Sequence, residues 1–259
     1  MKFDFTGKRI VVTGATSGIG RKVVEDLLES GATVLGIARR EEILKEISES
    51  HENFIGAALD VRDGDKMKIA IEKFAAEHGK LNGAVHSAGI FLSTPLRTYD
   101  ESVAKEIMDI NFWAGMRLMQ IVNRKKVAEP CCSNVLIASV AAHVGERSQF
   151  AYSASKGALQ SAARSLSKEI FQTGARINTV SPGMIETPMT HGQVDGSMVS
   201  PRVMERHLLG IGRTQDVSRV ILFLLDDESK WITGEDFTID GGYRGGGTSD
   251  TSIGNIQGI

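Results

Sequence analysis

Tyr152 and Lys156 stand four residues apart, and Ser139 lies thirteen residues before the tyrosine. Four residues is about one helical turn, so the two side chains leave the same helix face. A free tyrosine, with a pKa of about 10, moves protons poorly at neutral pH. A lysine ammonium beside it is expected to favour the phenolate and lower that value. A hydroxyl from Ser139 would hold a carbonyl oxygen against the phenol. The trio suits proton transfer to or from a carbonyl or alcohol oxygen. Tyr-x-x-x-Lys alone is a weak signal. Ala151-Tyr152-Ser153-Ala154-Ser155-Lys156-Gly157 also reads as an ordinary helix start with an exposed lysine, so other segments must decide.

The first of these is near the N-terminus. Lys8–Thr13 is a short apolar run that reads as a buried parallel strand. It leads into Gly14-Ala15-Thr16-Ser17-Gly18-Ile19-Gly20 and then the helical pattern Arg21–Leu28. Strand, glycine turn and helix in that order make a dinucleotide site. Glycines let the backbone approach a pyrophosphate, and the N-terminus of the next helix favours the anion. Gly14, Thr16, Ser17, Gly18, Ile19 and Gly20 are the candidate contacts. The spacing by itself is weak, because turns rich in Gly and Ser are common.

The second strand, Ala32–Ala38, ends at Arg39-Arg40. An acid at this strand end would bind the ribose 2′-hydroxyl of NAD, whereas arginine accommodates the 2′-phosphate of NADP. Ala38 stands where the acid would be. The forked guanidinium groups of Arg39 and Arg40 suit a phosphate, so NADP(H) is expected in preference to NAD(H). The plainer reading is two arginines opening a solvated helix.

Thr13-Gly14-x-x-x-Gly18-x-Gly20, Asn111, Ser139 and Tyr152-x-x-x-Lys156, in that order, resemble the short-chain dehydrogenase/reductase family. The likeness is to its compact single-domain branch, which includes 3-oxoacyl-carrier-protein reductases and hydroxysteroid dehydrogenases. It covers about residues 5–243. The resemblance implies the following roles. Asn111 is a structural and proton-relay residue, and Ser139 positions the substrate oxygen. Tyr152 is general acid in reduction and base in oxidation. Lys156 binds the nicotinamide ribose and lowers the tyrosine pKa. Asp60-Val61 contacts adenine, and Pro182-Gly183 with Ile185-x-Thr187 flank the nicotinamide. Ser87, Ala88 and Gly89 line the cofactor after the fourth strand. The resemblance also implies a homotetramer, with helices near 100–127 and 151–172 at one interface.

The chain departs from the family pattern in three places. His86-Ser87-Ala88-Gly89 replaces the common Asn-Asn-Ala-Gly. A histidine at a strand end reads as a structural residue, with a catalytic base as the sharper alternative. Ala138 replaces the first of the paired serines often found before the loop. Pro130-Cys131-Cys132-Ser133 replaces a glycine-rich lead into the fifth strand.

The elements that would position these residues follow from the alternation along the chain. Strands are expected near 8–13, 32–38, 54–59, 82–87, 134–139, 176–181 and 236–240. Helices are expected near 18–29, 40–49, 64–78, 100–127, 151–172 and 214–226. This βαβ pattern predicts an α/β, doubly wound, Rossmann-like domain over residues 1–243. Its seven-stranded sheet should be mostly parallel, with helices on both faces. The motifs then fall at strand ends and converge on one crevice. The tail, 244–259, is rich in glycine and reads as a flexible end, with packing against a neighbouring subunit as the alternative.

Formal net charge over the 259 residues is −2, which gives no pointer to nucleic acid or an acidic membrane. No apolar run approaches the roughly 20 residues that span a bilayer, and the N-terminus lacks a signal-peptide core. The two cysteines are adjacent and read as reduced thiols of a cytoplasmic protein; no metal site is expected.

The substrate side is thinner. The loop Ala141–Phe150 should border the pocket, with Phe91, Leu92, Met184, Ile185 and Met189 as apolar walls. Met184 to about Gly212 reads as a lid. His143, Glu146 and Arg147 either recognise a polar or anionic substrate or form a solvated loop. Arg124-Lys125-Lys126 either complements a helix dipole or docks an acyl-carrier protein. The expected activity is NADP(H)-dependent interconversion of a ketone, 3-oxoacyl thioesters included, and a secondary alcohol. Two alternatives stand beside it. One is a sugar-nucleotide epimerase or dehydratase, disfavoured by the glycine spacing. The other is a non-catalytic NADP(H)-binding regulatory protein on the same fold.

Overall fold

The computed structural model describes residues 3–190 and 205–245. Strands and helices alternate along them as β1 (Arg9–Thr13), α1 (Gly18–Glu29), β2 (Thr33–Ala38), α2 (Glu41–Ser50), β3 (Phe54–Ala58), α3 (Gly64–His78) and β4 (Leu81–His86). There follow α4 (Glu101–Met108), α5 (Ala114–Val122), β5 (Ala128–Ile137), α6 (Phe150–Ile170), β6 (Arg176–Pro182), α7 (Thr214–Leu225) and β7 (Asp236–Ile239). The seven strands form one sheet in the order 3-2-1-4-5-6-7. Every pairing is parallel, so the expected sheet is wholly rather than mostly parallel. Strand order reverses between β1 and β4, where a doubly wound sheet opens its ligand crevice.

The central strands β1 and β2 are largely apolar because both of their faces are covered. Val12, Val34, Val85 and Val135 pack with Val23 and Leu27 of α1 and Val217 and Ile221 of α7. Their neighbours Val11, Leu35, Ala84 and Leu136 point the other way, onto Met67 and Ile71 of α3, Leu118 of α5 and Leu159 of α6. Two cores thus clamp the sheet and fix the strand ends that carry the site.

The span 100–127, expected as one helix, is divided. Asp109–Trp113 widens into a π turn between α4 and α5, and α5 stops at Val122. The Arg124 carbonyl then takes both the Val127 and Ala128 N–H groups in a turn. β5 therefore starts at Ala128 and includes Pro130-Cys131-Cys132-Ser133. Cys131 adopts a left-handed φ of 63°, and the ladder with β4 changes register between Leu81 and Gly83. The extra residue of a π turn rotates the apolar stripe that follows by roughly 100°, but over a five-residue turn residue type alone does not separate this from an ordinary helix. Such turns often mark functional sites, and Asn111 lies in this one.

Both cysteines are free. Cys131 is exposed and Cys132 buried, where burial pushes its thiol up to about 12. Among the described residues no helix is long and apolar enough to cross a membrane.

Candidate active site

A cleft with a cavity of ≈ 460 Å³ opens at the C-terminal strand ends. At one side the turn after β1 passes directly beneath the start of α1. Gly14 has φ +71°, and a Cβ there would lie 2.8 Å from the Ala88 nitrogen. A Cβ on Gly20 would lie 2.4 Å from the Gly14 carbonyl oxygen. Only hydrogen fits at either place, so α1 abuts the turn and its unpaired N–H groups line an anion seat. Gly14, Thr16, Ser17, Gly18 and Ile19 line the cavity, and Gly20 packs behind them.

Arg39 and Arg40 lie at the outer end, with Asp60 and Val61 beside them. Arg40 donates to the Thr16 hydroxyl from both Nε (3.2 Å) and Nη2 (2.9 Å), tying β2 to the glycine turn. Arg62 forks onto Asp60, with Nη2 2.7 Å from Oδ2, and holds that carboxyl below the usual range. Arg62 had no signal of its own in the sequence; it was one charged residue among many.

The end of β4 is braced from within. Thr13 Oγ1 accepts the Ser87 and Ala88 N–H groups, each at 3.2 Å, and so donates to His86 Nδ1 at 3.0 Å. His86 Nε2–H then faces the Asn111 carbonyl at 3.3 Å, an assignment that follows from the partners. Burial pushes His86 down to about 4, which leaves it neutral. It is a brace between β4 and the π turn, and its side chain does not line the cavity. Ser87, Ala88 and Gly89 do.

At the inner end Ser139, Tyr152 and Lys156 converge on the same cavity. Ser139 follows β5 and accepts the Ala141 N–H at 3.2 Å. Lys156 is buried; its Nζ donates to the Ile137 carbonyl at 2.7 Å and lies 5.7 Å from the Tyr152 ring centroid. Burial lowers Lys156 to about 8. The expected depression of Tyr152 is not what the geometry produces. Burial raises its pKa, and a hydrogen bond from Ser139 offsets part of that rise. Loss of water around the phenol penalises the phenolate, and the ammonium, 5.7 Å from the ring centroid, does not reverse it.

Asn111 stands apart from the other three. It is buried and does not line the cavity. Its Nδ2 donates to the Ile90 carbonyl (3.0 Å) and Ser155 Oγ (3.0 Å), and its Oδ1 accepts the Ile90 N–H (2.8 Å). Ser155 donates in turn to the Tyr152 carbonyl at 2.7 Å. Asn111 therefore clamps the segment after Gly89 to the first turn of α6. A Cβ on Gly89 would sit 3.2 Å from Asn111 Oδ1 and 3.5 Å from Lys156 Nζ. Ser155 was invisible in the sequence, because nothing local links it to a residue 44 positions away.

Pro182, Gly183, Ile185 and Thr187 form the far wall. Thr190 braces it, accepting the Thr187 N–H (3.0 Å) and donating to the Ile185 carbonyl (2.6 Å). Ile185 bridges to Gly212, which joins the two ends of the expected lid. Residues 191–204 of that segment, and 246–259 of the expected tail, lie outside the described residues.

On the substrate side Phe91 meets Tyr152 edge-on, with ring centroids 5.2 Å apart. Met189 lines the cavity, and Met184 does not. His143 and Glu146 have partners within the chain. His143 Nε2 is 2.8 Å from Asp236 Oδ2, and Glu146 pairs with Arg206 at 3.6 Å. Arg147 is exposed. Of the basic run, Arg124 (3.0 Å) and Lys126 (2.9 Å) both pair with Glu72 of α3.

These residues fit a nicotinamide dinucleotide. The cleft has an anion seat at a helix N-terminus, a cationic outer end, and an inner end where a phenol and an ammonium meet. Comparison with known proteins points the same way. A family model described as enoyl-(acyl carrier protein) reductase matches residues 14–244. The 3-oxoacyl-[acyl-carrier-protein] reductase FabG of Salmonella typhimurium is 33% identical over 241 residues, 92% of this chain and 98% of the relative. A tropinone reductase homolog of Arabidopsis thaliana is 33% identical over 255 residues, 96% of each chain. Among solved structures, a short-chain type dehydrogenase/reductase from Mycobacterium ulcerans superposes with a TM-score of 0.89. It is 27% identical, over 94% of this chain and 92% of that one. ElxO with NADP bound gives 0.82 at 27% identity, over 91% and 98%.

Proposed function

The chain belongs to the short-chain dehydrogenase/reductase family, and from that premise we propose that it reduces a ketone to a secondary alcohol with NADPH, and the reverse. The observation that carries this reading is the convergence of Ser139, Tyr152 and Lys156 on a cavity that also holds the glycine turn. When bound, the dinucleotide supplies or accepts the hydride.

The chain's own residues do the rest. The N-terminus of α1 seats the pyrophosphate, and Arg39 with Arg40 meets the 2′-phosphate, which supports NADP(H) over NAD(H). Asp60, held by Arg62, and Val61 border the adenosine. Pro182, Gly183, Ile185 and Thr187 back the reacting ring. Ser139 orients the carbonyl oxygen, and Tyr152 gives that oxygen its proton. The phenolate formed is stabilised by the Lys156 ammonium, and Asn111 keeps α6 in register with the segment after Gly89. Residues 1–243 are taken as the domain that does this.

Apolar surface at Phe91, Leu92 and Met189 favours an uncharged ketone, a 3-oxoacyl thioester among them. The similarity to FabG, a 3-oxoacyl-[acyl-carrier-protein] reductase, supports that choice, and a cytoplasmic location is part of the proposal. With Arg124 and Lys126 drawn to Glu72, an acyl-carrier protein would have to be recognised largely elsewhere. A homotetramer is part of the proposal. Exposed Tyr99, Trp113 and Phe150 line a shallow apolar hollow where α4 and the π turn meet the start of α6, the face expected to pair.

The test is NADPH consumption at neutral pH against a 3-oxoacyl thioester, a cyclic ketone and a polar keto acid. One class is expected to turn over. In Tyr152→Phe, kcat should fall about 10²–10⁴-fold, the usual share of general acid catalysis, with NADPH affinity kept. Full activity in that variant refutes the role of the phenol. Tight NADPH binding with no turnover of any carbonyl favours the regulatory alternative.

A further inference from the structure

A second polar knot lies on the substrate side and takes no part in the chemistry above. Tyr243, just beyond β7, is only 4% exposed. Its ring stacks on His207 with centroids 4.5 Å apart, and the Arg206 guanidinium carbon lies 4.3 Å from the ring centroid. Its hydroxyl donates to Glu146, 97 positions away, and accepts from Arg206 Nη1 at 3.3 Å. Arg206 also pairs with Glu146 at 3.6 Å. His207 Nε2 accepts the Met184 N–H at 3.0 Å and would lie 3.0 Å from a Cβ on Gly183.

Three segments far apart in sequence are therefore joined around one phenol, two of them directly and the third through His207. Glu146 belongs to the loop between Ser139 and Tyr152. Arg206 and His207 belong to the return toward Gly212, and Gly183 and Met184 belong to the wall behind the reacting ring. Tyr243 lies outside both apolar cores, and Arg206 and Glu146 keep side-chain exposures of 38% and 28%. The knot is thus placed to hold a loop rather than to hold the fold. Burial and the Glu146 carboxylate push the phenol up to about 12, so it remains a donor at working pH.

We propose that Tyr243, acting through Glu146 and Arg206, is a positioning residue that fixes the 143–149 loop opposite Gly183-Met184 and so sets which carbonyl substrates fit. This rests on the reductase reading above. The hydroxyl is the critical atom, since the ring's stack on His207 survives its removal.

Tyr243→Phe and Glu146→Gln test it in the full chain. Hydrogen–deuterium exchange of residues 143–149, which needs no substrate, should be faster in both variants. With the carbonyl that wild type turns over, KM should rise about tenfold, the loss of one hydrogen bond to a charged acceptor. Changes in kcat and in NADPH affinity should stay within about threefold, because the pyrophosphate and ribose contacts are untouched. Unchanged exchange overturns the clamp. Faster exchange with an unchanged KM, and the wild-type ranking of carbonyls, overturns the selectivity role. Loss of NADPH affinity in step with KM makes the effect global and overturns positioning. Absence of turnover with every carbonyl sinks the reductase reading and the selectivity role with it, while exchange alone still decides the clamp.

Discussion

The two ends of the cleft are built by different means. At the dinucleotide end, one continuous turn from Gly14 to Gly20 supplies the anion seat, and its neighbours arrive from adjacent strands. What matters there is backbone: two glycines without room for a Cβ, and a helix that starts on time. At the substrate end, the contacts are side chain to side chain across long separations. His143 reaches Asp236 over 93 positions and Glu146 reaches Tyr243 over 97. Backbone geometry can be specified by a few residues in a row. A wall of paired side chains has no local signature, because each member is an ordinary polar residue until its partner is known.

The sharpest way to break this contrast is at Gly20. Gly20→Val would place its Cβ against the Gly14 carbonyl oxygen, where 2.4 Å is available, and further methyls beyond it. α1 must then draw back from the turn. NADPH binding, followed by fluorescence titration, should be lost, with circular dichroism reporting whether the fold is kept. Wild-type affinity in a folded variant would mean that the close approach of α1 is not what makes the seat. Next in size is the outer end. Arg39→Asp exchanges a phosphate donor for a carboxylate suited to a ribose hydroxyl, beside an Asp60 already held by Arg62. The NADPH-to-NADH affinity ratio should fall about 10- to 100-fold, the value of one charge-assisted hydrogen bond. An unchanged ratio would assign the 2′-phosphate to Arg40 alone.

The same contrast explains what could be read in advance. Strand boundaries were legible to within a residue or two for six strands, because continuous apolar runs edged by Gly and charged residues are unambiguous when both sheet faces are covered. β5 starts earlier than its apolar run, at Ala128, since Pro130 and a left-handed Cys131 argue locally against a strand that tertiary pairing nonetheless forms. The residues around the glycine turn, Arg39, Ser139, Tyr152 and Lys156 were nameable from type and spacing, and they meet at one cavity. Their supports were not. Ser155, Thr13 as a double acceptor, and Arg62 act only through partners on other segments. His143 and Glu146 looked free for a ligand because Asp236, Arg206 and Tyr243 are out of sight in a linear reading.

The smallest effect bears on a point where sequence logic and geometry part. Spacing alone suggested a lysine that lowers the tyrosine pKa. The pair instead has a half-buried phenol raised above its ordinary value and a buried lysine lowered to about 8. For reduction this ordering is workable. A phenol that keeps its proton through neutral pH is a ready donor, and the lysine need be charged only when the phenolate appears. The pH profile of kcat/KM reports groups of the free enzyme. Reduction should therefore hold level from about pH 6 to 7.5 and decline above about 8, by up to about tenfold per unit, as Lys156 loses its proton. Lys156→Arg keeps a charge at all accessible pH values. Whatever its absolute rate, that limb should vanish from its profile. A limb that stays near pH 8 in Lys156→Arg would transfer the titration to another group and return the lysine to a purely structural place. A profile in which wild-type reduction instead declined on the basic side well below pH 8, and rose toward acid, would mean that the phenolate, not the phenol, is the resting form, as the spacing alone suggests.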